Sequence, residues 1–154
     1  TYPESPPTAV IVEPSEVACI FESARQDDGM SHKAMGSEVT IMAGLNCAEP
    51  CQITWPILRD FADFYTACPD WVAARGMRVL AAPAAGDPAV VSGESGGVTT
   101  GLVSLLGKEE YGPLRRAMGL SRDSVILLIN TEGDTDPDGY ERVVYDGAYP
   151  TQLR

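Results

Sequence analysis

Short, uninterrupted apolar runs alternate along the chain with longer stretches in which apolar residues return every three or four positions. The first run, AVIVEP at 9–14, has the continuous apolar character of a strand covered on both faces, as in a parallel sheet. Behind it, SEVACIFESARQ sets Val17, Ile20 and Phe21 on one helical face, with Ser15 as the N-cap. Gly29 and Gly36 open a loop. In ITWPILRDFADFYTA, Trp55, Leu58, Phe61, Ala62 and Tyr65 fall on one helical stripe, and such a helix tolerates Pro56 only in its first turn. A further helix is predicted over 73–80, stopped by Pro83 ahead of a turn at Gly86 and Pro88.

The second half repeats the alternation. AVV at 89–91 reads as a strand that feeds a glycine turn, GESGG, and then a helix through VTTGLVSLL. KEEYGPLRRAMG is helical in pattern but carries Gly112 and Pro113 in its middle, and Gly119 closes it. SVILLIN at 124–130 is the clearest strand of the chain. Strands alternating with helices indicate an α/β fold of three layers with a mostly parallel sheet. Ligands of such sheets sit at the carboxyl ends of strands, which marks Glu13–Pro14, the Ser92–Gly97 turn and residues 130–136.

A length of 154 residues and an apolar content of 44% are enough for one compact unit with a substantial core. Eight Pro-rich residues leading straight into a buried strand suggest a chain that starts partway through a larger fold. The net charge of −11 repels phosphate backbones and anionic lipid, so nucleic acid is not an expected partner. No segment reaches the roughly 20 consecutive apolar residues of a membrane span, and the start lacks the order of a signal peptide. The expectation is a soluble, cytoplasmic protein. Cys19, Cys47, Cys51 and Cys68 are too few for a disulfide scaffold, and no histidine cluster supports a metal site.

Gly93-Glu94-Ser95-Gly96-Gly97 also satisfies the G-x-S-x-G pattern of a serine hydrolase. A nucleophilic Ser95 needs a general base, and the sole histidine, His32, precedes it in the polar loop MSHKAMG. That order suits a trypsin-like protease, an all-β fold that the helical stripes contradict. The same glycines could instead present helix N–H groups to an anion or permit tight strand-to-helix packing, and the sequence leaves both open. NTEGDTDPDGY resembles a calcium loop in composition but lacks the glutamate at its twelfth position.

Five segments, VEPSEVACIFESA, TIMAGLNCAEP, CPDWVAARGMRVLAAP, GDPAVVSGESGGV and INTEGDTDPDGY, together resemble the C-terminal part of the diaminopropionate ammonia-lyase family. These are pyridoxal-phosphate enzymes of fold type II, related to threonine dehydratase and the tryptophan synthase β subunit. The resemblance implies that residues 1–154 are the C-terminal part of the large cofactor-binding domain. It implies as well that the Schiff-base lysine and the phosphate-binding glycine loop lie in an N-terminal part not present here. Lys33 and Lys108 sit in unmatched contexts, so this chain carries no catalytic residue and is expected to be inactive alone. The implied reaction of the parent is α,β-elimination on 2,3-diaminopropionate, giving pyruvate and ammonia.

By the same resemblance, Asn130 or Thr131 meets the pyridine nitrogen, Glu94, Ser95 and Gly96 contact the cofactor, and Glu13, Ser92, Gly93 and Gly97 line the pocket. If a disulfide forms, it joins Cys19 to Cys47 across the pocket rim. The implied partners are a small amino-acid substrate, the remaining N-terminal part and a second copy in a homodimer. A non-catalytic binding or assembly module is the alternative to a lyase, and a serine hydrolase using Ser95 is the lesser one.

Overall fold

The computed structural model describes residues 6–84 and 86–152; Thr1–Ser5, the start of the Pro-rich lead-in, lie outside them. Contacts gather the chain into two compact units rather than the single unit expected. The first comprises Thr1–Val39 and Asn46–Ala67, the second Thr40–Leu45 and Cys68–Arg154.

In the first unit, strand β1 (Val10–Pro14) is followed by a single 3₁₀ turn and helix α1 (Cys19–Gln26). The helix begins four residues later than Ser15, because the 3₁₀ turn takes Ser15–Val17, and Ala18 at the N-cap offers no side-chain oxygen. Helix α2 (Trp55–Phe61) has Pro56 in its first turn, where the missing N–H costs nothing. The predicted long helix ends there. Residues Phe64–Cys68, aromatic and β-branched in part, form strand β2 instead, and the sheet order is β1-β2. The N–H groups of Asp63 and Phe64 both donate to Ala9 O, so the two strands start side by side and run parallel. Cys19, Ile20 and Trp55 form the core, with Ile11, Leu58 and Tyr65 against them. Phe61, expected on the buried stripe, is 76% exposed because the chain turns away to β2. β1 is only half-buried apart from Pro14, not covered on both faces.

The second unit is helical. Helices α3 (Asp70–Ala81) and α4 (Glu94–Leu106) make its largest contact, and α3 starts three residues earlier than its apolar pattern announced. Two glycines permit the close crossing: a Cβ on Gly76 would overlap Gly97 O, and one on Gly101 would overlap Val72 O. Around it Val72, Ala73, Met77, Val98, Leu102 and Leu105 are buried. A 3₁₀ turn at Glu109–Tyr111 precedes helix α5 (Gly112–Ala117), which places Pro113 in a first turn and ends before Gly119 at φ +67°. Helix α6 (Pro137–Val144), not foreseen, is capped by Asp136, whose Oδ1 accepts from Gly139 N at 3.1 Å. The guanidinium of Arg78 holds the other end of α6 through Val143 O, Ala148 O and Tyr149 O.

Neither strand expected in this unit is paired. Residues 89–91 and 124–130 are outside any strand among the described residues. A strand exists only when a neighbour takes its backbone N–H and C=O groups. With no neighbour alongside, Val125 is 99% and Leu127 86% exposed. The α/β class holds, with two strands in the sheet among the described residues.

Candidate functional site

In the second unit, two of the three marked stretches meet at the start of α4. Ser92 is buried and donates its hydroxyl to Asn130 Oδ1 at 2.8 Å. The Asn130 amide nitrogen in turn donates to Val91 O at 3.1 Å. On the other side of Thr131, the Gly93 N–H donates to Glu132 O at 3.2 Å, and the Ser95 N–H donates to Glu132 Oε1 at 2.9 Å. Gly96 makes the approach feasible, since a Cβ there would strike Asn130 Oδ1 and come within 2.8 Å of Ser92 Oγ. Gly97 packs under Met77 in the α3–α4 crossing.

The two readings of the glycine turn are separated by these contacts. α4 begins at Glu94, so the glycines belong to its first turn, with Gly93 as N-cap. Its Ser95 N–H, which an anion would require, is taken by the carboxylate of Glu132. Glu94 is half-buried beside it, and burial, followed by the charges of Glu132 and Asp136, raises its carboxyl above the ordinary value. Tight packing and an internal cap describe this helix start; a phosphate there would face carboxylates.

Ser95 is buried, and its Oγ accepts from Gly44 N at 3.1 Å, tying the 40–45 segment to α4. The His32 ring nitrogen is held by both oxygens of Asp28, at 2.9 and 3.0 Å, so neither residue is arranged as half of a nucleophile and base pair. Lys33 is in an exposed ion pair with Glu49 at 2.8 Å.

Glu13 lies in the first unit, where its carboxylate performs the capping that Ser15 was expected to do. Oε1 accepts from Ile20 N at 3.0 Å and Oε2 from Phe21 N at 2.7 Å, the free donors of the first turn of α1. Burial raises the Glu13 carboxyl, although these hydrogen bonds pull the other way. The Cys19 thiol also faces this carboxylate at 3.7 Å and donates to Cys47 O at 3.3 Å. Burial and the neighbouring Glu13 push Cys19 up to about 12. All four cysteines are free, with Cys19 and Cys68 buried and Cys47 and Cys51 exposed. The segment from Cys47 to Cys51 is not helical.

Glu132 and two glycines of the α3–α4 crossing, Gly76 and Gly101, escaped the sequence reading. An acid two places beyond a strand pattern carries no local sign that it caps a helix 37 positions earlier. Asp136-Pro137 before Tyr140 and Val143 was a legible helix start, hidden within an acidic stretch.

No family model matches the chain. It is 44% identical over 146 residues to a diaminopropionate ammonia-lyase of Salmonella typhimurium, and 42% identical over 145 residues to that of Escherichia coli. These alignments cover 94% and 92% of this chain, but the chain spans only 36% and 35% of the length of those relatives. Among solved structures, holo diaminopropionate ammonia-lyase of E. coli superposes with a TM-score of 0.84 at 40% identity, over 92% of this chain and 35% of that one. The same enzyme with an aminoacrylate–PLP azomethine intermediate gives 0.82 at 42% identity, over 91% and 35%. With D-serine it gives 0.82 at 38% identity, over 93% and 35%. The chain is a homologue of part of these lyases, and no helix among its described residues is long and apolar enough to cross a membrane.

Proposed function

We infer that the chain forms one wall of the cofactor site in a pyridoxal-phosphate lyase that acts on 2,3-diaminopropionate by α,β-elimination, releasing ammonia and pyruvate. The observation that carries this reading is the 42–44% identity, over nearly the whole chain, to enzymes of that name. When bound, the cofactor supplies an electron sink for the carbanion that elimination requires.

The residues at the start of α4 fit one side of such a group. Both ends of the Asn130 amide are engaged, by Ser92 and by Val91, which fixes its orientation, whereas the exposed Thr131 hydroxyl takes no part in those bonds. Thr131 is therefore assigned the pyridine nitrogen. A hydroxyl donates to a neutral ring nitrogen, whereas a carboxylate there would favour a protonated one. Glu94, Ser95 and Gly96, with Ser92, Gly93 and Gly97 behind them, form the wall beside it.

The remaining part of the enzyme, with the lysine that holds the cofactor, is the proposed partner. The lyase is proposed to act as a cytoplasmic homodimer. An assembly role for the chain alone is favoured by one observation, the extended apolar run at 125–129 with its exposed side chains. On the isolated chain with added cofactor, a borohydride-reducible imine together with pyruvate formation would refute the assignment of the lysine to the missing part. For the site, Thr131→Val in the full-length enzyme is expected to lower kcat about tenfold, the worth of one good hydrogen bond. Unchanged turnover would remove Thr131 from the pyridine nitrogen.

A further inference from the structure

We propose that Glu132 and Asn130 are positioning residues that clamp Thr131 from both sides and so set the placement of its hydroxyl; this rests on the reading that Thr131 serves the cofactor. The inference comes from where the four bonds of residues 130–132 go. Asn130 is tied to the segment entering α4 through Val91 O and Ser92 Oγ. Glu132 is tied to the helix itself, by its carbonyl to Gly93 N and by its carboxylate to Ser95 N. Thr131 lies between the two anchors and cannot slide along the chain without breaking one of them.

The surroundings make the clamp tight. Gly96 leaves no room between helix and loop: a Cβ there would overlap Asn130 Oδ1 and lie 3.3 Å from Thr131 N. Ser92, which holds the Asn130 oxygen, is itself 1% exposed and has no latitude to follow a shift. The charged cap adds strength, because a carboxylate accepting from first-turn N–H groups is favoured by the helix dipole. Glu132 thereby converts the fixed start of α4 into a fixed position for the residue before it. Gly93 is as tightly placed: a Cβ there would lie 2.7 Å from Gly133 O and 2.9 Å from the Glu132 side chain.

A residue that acts through Thr131 must lose its effect once the Thr131 hydroxyl is gone. The experiment compares Glu132→Ala, Glu132→Gln and Thr131→Val, singly and combined, in the full-length cofactor-loaded enzyme. Glu132→Ala is expected to lower kcat about tenfold in the Thr131 enzyme and less than about twofold in the Thr131→Val background. Glu132→Gln keeps an oxygen for Ser95 N and should recover most of the rate. Independently of activity, amide hydrogen exchange of the cofactor-free enzyme should quicken at residues 93–97 and 130–132 in Glu132→Ala and not in Glu132→Gln.

Equal losses in both backgrounds, or unchanged exchange in Glu132→Ala, would overturn the clamp. If Thr131→Val alone leaves turnover intact, the cofactor reading fails instead, and the exchange data still judge the clamp. Should Glu132→Ala not fold, Ser92→Ala takes its place, since it removes one of the two bonds that hold Asn130 and must show the same dependence on the Thr131 hydroxyl.

Discussion

Gly76→Ala tests the account of the helical unit most sharply, because two effects of known size oppose each other there. In a helix interior, alanine is favoured over glycine by about 1 kcal/mol. Against that, the new Cβ would lie 2.7 Å from both Gly101 N and the Gly97 carbonyl carbon, with Gly97 O closer still. Ordinary contact begins at 3.4 Å, so the 2.7 Å contacts alone require α3 and α4 to part by about 0.7 Å, and the closer Gly97 O requires more. The obstructing atoms are backbone, which cannot rotate aside. A gap of that size forfeits roughly a quarter to a half of the dispersion attraction of the atoms facing it, and those atoms belong to the buried Ala73, Met77, Val98 and Leu102. Overpacking costs typically about 1–3 kcal/mol, and the rigid obstruction puts this site at the upper end.

The net expectation is a loss of about 2 kcal/mol after the helix-propensity gain. Urea unfolding followed by circular dichroism measures it as a lower midpoint at unchanged slope. Gly107→Ala serves as the control. Its backbone is helical, and its nearest would-be neighbour is Ser104 O at 3.7 Å, so it should be neutral or slightly stabilising. If Gly76→Ala is as stable as the parent protein, the helices do not cross at the glycines and the description of the unit's core is wrong.

Other consequences can be checked on the same material. Glu13→Ala should cost about 1–2 kcal/mol through loss of the α1 cap, with Glu13→Gln intermediate because only one oxygen remains to accept. Burial raises the Glu13 carboxyl, so its contribution is fully present below the ordinary value and fades as pH rises through the folded value. The stability margin of the parent over Glu13→Gln should therefore be larger at acid pH than at neutral pH, and a margin that grows with pH would contradict this. Iodoacetamide should modify Cys51 ahead of Cys19 and Cys68: a hydrogen bond with Thr54 lowers Cys51, whereas the two buried thiols are pushed up to about 12. Under oxidation, the bridge expected is Cys19–Cys47, since Cys19 Sγ already touches Cys47 O; peptide mapping that finds a Cys47–Cys51 bridge instead would refute it.

Local chemistry made some elements legible and hid others. Pro56 and Pro113 each fix a first turn, and Gly119 takes a left-handed conformation after α5, all as their residue types require. β1 was readable from its apolar run. The stripe from Trp55 to Tyr65 was misread, because aromatic residues at helical spacing continue past Phe61 into a segment that pairs with β1. What ends the helix is tertiary: Ala9 O accepts the N–H groups of Asp63 and Phe64, and Ala9 N donates to Asp63 Oδ2 at 2.7 Å. No window of a dozen residues contains both sides of that exchange.

The candidate site shows the same division more sharply. The two segments that meet there were legible, because glycines next to a helix pattern and an acidic turn after an apolar run mark the ends of local elements. The choice between Asn130 and Thr131 was not, since both side chains can donate a hydrogen bond and they are adjacent. That choice turns on which side chain is already held, and the partners that hold Asn130 lie 38 and 39 positions away, at Ser92 and Val91. The anion reading of the helix start failed for a related reason. A free first-turn N–H attracts the nearest available negative charge, and in this fold the Glu132 carboxylate on the protein's own chain holds that of Ser95. A glycine-rich helix start is thus evidence for an anion site only once the acids that the fold brings to it are known.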